Sequence, residues 1–322
     1  YNAFTAQEYT VDYAKSDAKH FKKIFDLVSD IYLNSTFPEV EMEKEKGVII
    51  EEINMYEDMP NRHVQDLMMG LLFGDQPAGW NIAGEKKNIL SMKRDDFVKY
   101  KKEKYVPEAT TLVVAGRVTE KEVLKEVEKV FGHLSHHKKA KKEKTKETQV
   151  KPEVLVKWKD TDQTHFVLGV HTYDLFNKKN AVLSVLSGVL GAGMSSRLFA
   201  KLREEMGVGY YVRAYNDVYT DHGFFQISAG VDNKRIEEVI HAVLEECRKL
   251  KNELVGDEEL EKVKECLIGN MKLSLESSDD IANFYGGQEL LKKEMKSAEE
   301  KATEVRKVTA KQIKDMANGI FK

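Results

Sequence analysis

Two glutamates seven residues apart, on an otherwise apolar helical stripe, are the first candidates for chemistry. The spacing over Glu39 to Glu57 predicts a helix. At about 100° per residue, Glu45, Val48, Ile49, Glu52 and Tyr56 share one face, while Glu51 points well to the side. A carboxylate on an apolar stripe is costly to bury without a partner, and a metal ion is one partner that would serve. The alternative is that both acids sit at the rim of the stripe, paired with Lys44, Lys46 or Arg62.

A second pair lies in GAGMSSRLFAKLREEMGVGYYV, residues 191–212. A helix is expected from Met194 to Met206, with Leu198, Phe199 and Leu202 on its apolar stripe. Arg203 falls in its last turn, and Gly207-Val208-Gly209 leads to Tyr210 on a new strand. A guanidinium and a phenol brought together in this way are good donors to a developing oxyanion. Alternatively, the arginine offsets the helix dipole beside a core tyrosine. Residues Tyr1 to Thr10 read as one strand with alternating faces, either an ordinary edge or one that pairs with an extended peptide.

None of the nine histidines forms HExxH or HxxEH. His136 and His137 fall in a lysine-rich stretch, where a metal role is weak. A serine-nucleophile elbow, a phosphate-cradling GxxxxGK[ST] loop and a GxGxxG turn are all absent. Cys247 and Cys266 both fall on predicted helices and read as buried thiols, not as a disulfide framework.

The elements that must position these residues are mainly helices. Apolar spacing predicts helices over 17–33, 178–190 and 234–250, and strands at Thr110–Gly116, His165–His171 and Phe224–Gly230. Residues 135–152, with seven lysines among 18 residues, read as a solvated linker. It separates a first domain, 1–134, from a second, 153–322. The two look like copies. Asp17-Ala18-Lys19-His20 matches Asp232-Asn233-Lys234-Arg235, residues 39–53 lie over 257–271, and 95–105 lie over 311–321. Glu45 and Glu52 then face Val263 and Asn270, so only the first copy keeps the acids. By the same comparison the first copy should be truncated at its N-terminus by roughly 60 residues, and the second should lack its last strand.

Composition bounds the function. At 322 residues and 41% hydrophobic content, two domains with real cores are possible. The net charge of −3 argues against a nucleic-acid binder, and no apolar run approaches a membrane span.

Taken together, NAFTAQEYT (2–10), EKEKGVIIEEINMYEDMP (43–60) and residues 191–212 resemble the pitrilysin-type zinc peptidases, the inverzincins. The branch is that of bacterial processing proteases related to the mitochondrial processing peptidase. The resemblance covers essentially the whole chain. It implies an α/β fold of two homologous domains, each a mainly antiparallel sheet with helices packed on one side. It implies a zinc endopeptidase acting on short or unfolded peptides, held as an added strand in a two-domain chamber. Glu52 matches the family's distal zinc ligand and Glu45 its supporting acid. Asn2, Ala3, Phe4 and Thr5 match the strand that pairs with substrate, and Arg203 and Tyr210 match the pair that reaches the substrate and its oxyanion. The family's HxxEH, with two zinc ligands and the general base, should stand upstream of Asn2, so these residues alone should be inactive. A cytoplasmic homodimer or paired subunits, with no nucleic acid and no membrane, complete the expectation. A non-catalytic, peptide-binding subunit of the same family is the alternative.

Overall fold

The computed structural model describes residues 1–135, 137–292 and 294–322, so the predicted-linker residue His136 lies outside the described residues. The chain divides into two units. The first comprises Tyr1–Met55, Asn81–Glu143 and Ser274–Met295, and the second comprises Tyr56–Trp80, Lys144–Leu273 and Lys296–Lys322.

The first unit opens with β1 (Asn2–Thr5) and β2 (Thr10–Tyr13), an antiparallel hairpin with Asn2 opposite Tyr13 and Thr5 opposite Thr10. This corrects the single strand expected over Tyr1–Thr10. The Ala6 N–H donates to the Tyr9 carbonyl at 2.8 Å and closes a turn over Gln7 and Glu8, whose polar side chains suit a turn. Asp17 then caps a 3₁₀ turn at Ala18–His20, which runs into α1 (Phe21–Leu33). The helix α2 (Glu39–Asp58) begins in this unit and α3 (Pro60–Phe73) belongs to the other. The first unit continues with α4 (Lys86–Ser91), α5 (Arg94–Lys104) and α6 (Glu120–Phe131). Phe25, Ile53, Ile89 and Val106 are buried in it; Phe25 meets Phe131 edge-on, and Tyr32 packs against Phe131 and Tyr105. The expected strand at Thr110–Gly116 is not formed. Its β-branched residues suit a sheet, but no described segment pairs with it, and a strand exists only as part of a ladder.

The second unit is built on one three-stranded antiparallel sheet: β3 (Gln163–His171), β4 (Gly209–Val218) and β5 (Gly223–Asp232), with β5 in the centre. Between β3 and β4 lie α7 (Asn180–Gly191) and the short α8 (Arg197–Phe199). After β5 come α9 (Ile236–Asn252) and α10 (Asp257–Leu273). The helix α11 (Ser278–Leu291) returns to the first unit, and α12 (Ala298–Arg306) and α13 (Ala310–Ile320) close the second. Alternate β5 residues Phe225, Ile227, Ala229 and Val231 are fully buried against Leu183, Leu186 and Leu190 of α7, with Val239, Val243 and Ile313 in the same cluster. On the other face, Phe224 packs with Met68, Leu72 and Phe73 of α3. The mixed α/β class and the antiparallel sheets are as the sequence led us to expect.

The matched segments fold alike. Asp232 accepts from the Lys234 N–H as Asp17 does from that of Lys19, and the 3₁₀ turn Asn233–Arg235 runs into α9 as Ala18–His20 runs into α1. Of the two cysteines, Cys247 is buried, and burial pushes its thiol up to about 12. Cys266 is exposed, contrary to expectation, because it lies on the outward side of α10. Among the described residues no helix is long and apolar enough to cross a membrane.

Candidate functional site

The helix α2 carries the first candidates. Its inward stripe runs through Met42, Lys46, Ile49, Ile50 and Ile53, of which Ile53 is 8% exposed. Glu45 and Glu52 are exposed, and so is Val48 at 51%. The apolar stripe expected through Glu45 and Glu52 is therefore rotated, and the acids flank the buried one. Counting about 100° per residue, both lie roughly 90° from its centre, while Glu51 points almost straight away from it. The rim pairing offered as the alternative is not made either. Lys44 holds Glu41 at 2.8 Å and Lys46 holds Glu43 at 2.7 Å, and Glu45 and Glu52 have no ion-pair partner among the described residues. Seven helical residues separate them by about 10 Å along the axis.

The β1–β2 hairpin offers an edge. Ala6 and Tyr9 form a hydrogen-bonded pair, so by antiparallel alternation Ala3 and Thr5 turn their amides and carbonyls to the outer side of β1. The Ala3 N–H is taken there by the Asn2 side-chain oxygen at 2.8 Å. All four residues, Asn2, Ala3, Phe4 and Thr5, are exposed, and the Phe4 ring meets Tyr9 and Tyr13 edge-on.

In the second unit, the Arg203 guanidinium is brought to the main chain of Tyr210. The helix expected over Met194–Met206 is α-helical only at Arg197–Phe199; Ala200–Glu205 is a π-helical turn, with the Met206 N–H reaching back five residues to the Lys201 carbonyl at 3.1 Å. Gly207 then takes φ 64°, a left-handed conformation suited to glycine, and the Val208 N–H returns to the Leu202 carbonyl at 2.9 Å. This turn places the Arg203 Nη1 at 3.1 Å from the Gly209 carbonyl and 3.2 Å from that of Tyr210. The ladder between β4 and β5 slips between Gly209 and Tyr211, so Tyr210 is the extra residue of a β-bulge. Its side chain is 61% exposed, which removes the core-tyrosine reading.

Two neighbours were not singled out by sequence. The Arg197 guanidinium makes a two-pronged ion pair with Glu259 of α10, 2.7 Å at each contact, and that carboxylate raises the arginine's pKa. The Tyr211 hydroxyl lies 3.1 Å from His165 Nδ1; burial pushes the phenol up to about 12 and lowers the imidazole's pKa. Alternation within GYYVRAY was the available signal, since it puts Tyr211 on the opposite side from Val212.

Comparison with known proteins divides the chain between residues 86 and 91. Residues 1–86 match the family profile described as insulinase (peptidase family M16), and residues 91–267 match that of the peptidase M16 inactive domain. A zinc protease of Bacillus subtilis (strain 168) is 34% identical over 99% of this chain and 78% of its own length. One from Rickettsia bellii is 32% identical over 88% of this chain and 69% of its own. Among solved structures, a protease from Helicobacter pylori superposes with a TM-score of 0.85 at 20% identity, covering 95% of this chain and 76% of that one. A peptidase M16 inactive domain from Pseudomonas fluorescens gives 0.79 at 19% identity, over 95% of this chain and 73% of that one. The chain belongs to peptidase family M16, the pitrilysin-type family that its motifs resemble.

Proposed function

We propose that the protein works as a zinc-dependent endopeptidase on short or unfolded peptides. The observation that carries this reading is the pair of exposed acids, Glu45 and Glu52, on one flank of α2 in a chain whose relatives are named zinc proteases. An exposed carboxylate without an ion-pair partner is free to bind a cation. Glu52 is assigned one ligand position and Glu45 a supporting one.

The described residues do not form a zinc site by themselves. A catalytic zinc takes three protein ligands, and no group of three histidines, cysteines, aspartates or glutamates that could hold a metal stands among them. The residues that are present have binding work to do. The outer edge of β1 would take up a peptide as an added strand through Ala3 and Thr5, with Asn2 releasing the Ala3 amide. Arg203 and Tyr210 are assigned donation to the peptide's carbonyl oxygens. The phenol is exposed by its bulge, and the guanidinium is held by two main-chain carbonyls. The working form is proposed to be cytoplasmic, as a homodimer or with a paired family subunit. The second reading is a peptide-binding subunit without catalysis, in which the outer edge of β1 takes up a peptide and no bond is cut.

Two measurements separate these readings. The 322-residue chain, purified and dialysed against a mild chelator, should retain well under one zinc per chain by elemental analysis. A chimera that joins to this chain the part of the Bacillus subtilis relative outside the match should bind zinc and cleave a quenched fluorescent peptide. Stoichiometric zinc in the chain alone contradicts the assignment of Glu52 as a lone ligand. A chimera that binds the peptide without cutting it supports the second reading.

A further inference from the structure

A cleft in the first unit has a lining of one charge sign. It measures about 440 Å³ and lies between the end of α1 with its following loop, one side of α5, and Leu134, Ser135 and His137. That volume suits a small ligand. Arg94, Lys101, Lys102 and His137 line it, and no acid stands among the described lining residues. The rest of the lining is largely apolar and aromatic, with Phe37 and Tyr105 prominent.

Two of the cations are fixed by neutral partners. Arg94 donates through Nε to the Phe37 carbonyl at 3.0 Å and through Nη2 to the Thr36 carbonyl at 3.1 Å. Lys101 donates to the Leu33 carbonyl at 3.2 Å and sits 5.8 Å from the Phe37 ring centroid. These contacts orient the charges without neutralising them. The loop that supplies the carbonyls turns at Phe37, the one non-glycine residue with positive φ, 47°, among the described residues. Among the described residues, Lys102 has no ion-pair or hydrogen-bond partner, and the one hydrogen bond of the His137 ring is with the Ser135 hydroxyl, at 3.1 Å. Nearby acids are engaged elsewhere or act weakly. Glu108 accepts the His137 main-chain N–H at 3.0 Å, and Asp12 acts on Lys101 only at a distance. Burial is the larger influence on Lys101 and lowers its pKa, as expected where a charge lacks a counter-ion.

We propose that this cleft binds small carboxylates with an apolar or aromatic body, the chemistry of a peptide's C-terminal residue. The carboxylate sits among Arg94, Lys101 and Lys102, and the body lies against Phe37 and Tyr105. The arginine fork and lysines supply charge-assisted hydrogen bonds, and the rings supply apolar contact and select against a bare inorganic anion. This site does not depend on the peptidase reading, because no metal or cleavage is involved.

The test is a ligand-observed NMR titration of the 322-residue chain with N-acetylphenylalanine, its amide, acetate, inorganic phosphate and phenyl phosphate. The acid should bind with a Kd on the order of 1 mM or tighter. The amide and acetate should bind at least fivefold more weakly, and Lys102→Gln should weaken the acid by a similar factor without changing the melting temperature. Lys102 is the residue of choice because Arg94 also holds the loop. Equal binding of acid and amide, or no effect of Lys102→Gln and of His137→Gln, would overturn the site. Tighter binding of phenyl phosphate than of the acid would overturn the carboxylate assignment, and equal binding of inorganic phosphate would overturn the role of the rings.

Discussion

The helices α2 and α10 lie over one another in sequence, residue 39 on residue 257, and they differ where the chemistry is expected. Both hold a lysine against the protein through an i,i+3 ion pair: Lys46 with Glu43 and Lys264 with Glu261, 2.7 Å each, with lysine side chains 12% and 6% exposed. Leu260, Val263 and Ile268 of α10 are all buried in the second unit. At the position of Val263, α2 carries the exposed Glu45, and at that of Asn270 it carries the exposed Glu52. The difference teaches how two helices of similar pattern divide their work. At the first of these positions α10 turns an apolar residue into the core while α2 keeps an exposed acid; at the second both residues are exposed, and only α2 carries a charge.

The comparison can be broken most forcefully from the core side. Val263→Glu places an unpaired carboxylate at a site 8% exposed, and should destabilise the chain by roughly 3 kcal/mol or more in urea unfolding. A loss below about 1 kcal/mol would mean that α10 is as open there as α2. Next in size is Tyr210→Phe, made in the zinc-binding chimera. Loss of one donor should lower kcat about 10²-fold, near 2.7 kcal/mol, with KM and melting temperature little changed because the ring stays and is exposed. Normal turnover would leave the bulge a purely structural feature. The smallest effect belongs to Glu45→Val. It should shift stability by no more than about 0.5 kcal/mol, since nothing packs over an exposed flank.

Much of this was legible in the sequence because helices report themselves locally. The caps at Asp17 and Asp232, the spacing of α9, and the strands around His165 and Phe224 all follow from short-range patterns. What failed depended on distant partners. Thr110–Gly116 has strand composition but finds no ladder, and the Tyr1–Thr10 segment folds back on itself through one turn bond. The stripe on α2 was misplaced because Val48 and Tyr56 are apolar yet exposed, whereas Lys46 is charged yet largely covered. A long aliphatic stem can cover an apolar surface while its ammonium keeps an ion pair, and no hydropathy pattern marks that. The bulge at Tyr210 was invisible for a similar reason, since register is a property of two strands.

The proposed zinc chemistry belongs to the flank of α2 that Glu45 and Glu52 share and Glu51 does not. The direct measurement is zinc affinity and peptide cleavage by the chimera carrying Glu52→Gln, beside the same protein carrying Glu51→Gln. Glu52→Gln should lower both by on the order of 10²-fold or more, at least the loss seen when a ligand's supporting partner is removed. Glu51→Gln should leave both within about twofold, as expected for an outward surface residue. Equal losses from the two changes, or a loss from Glu51→Gln alone, would contradict the assignment of this flank as the chemical face.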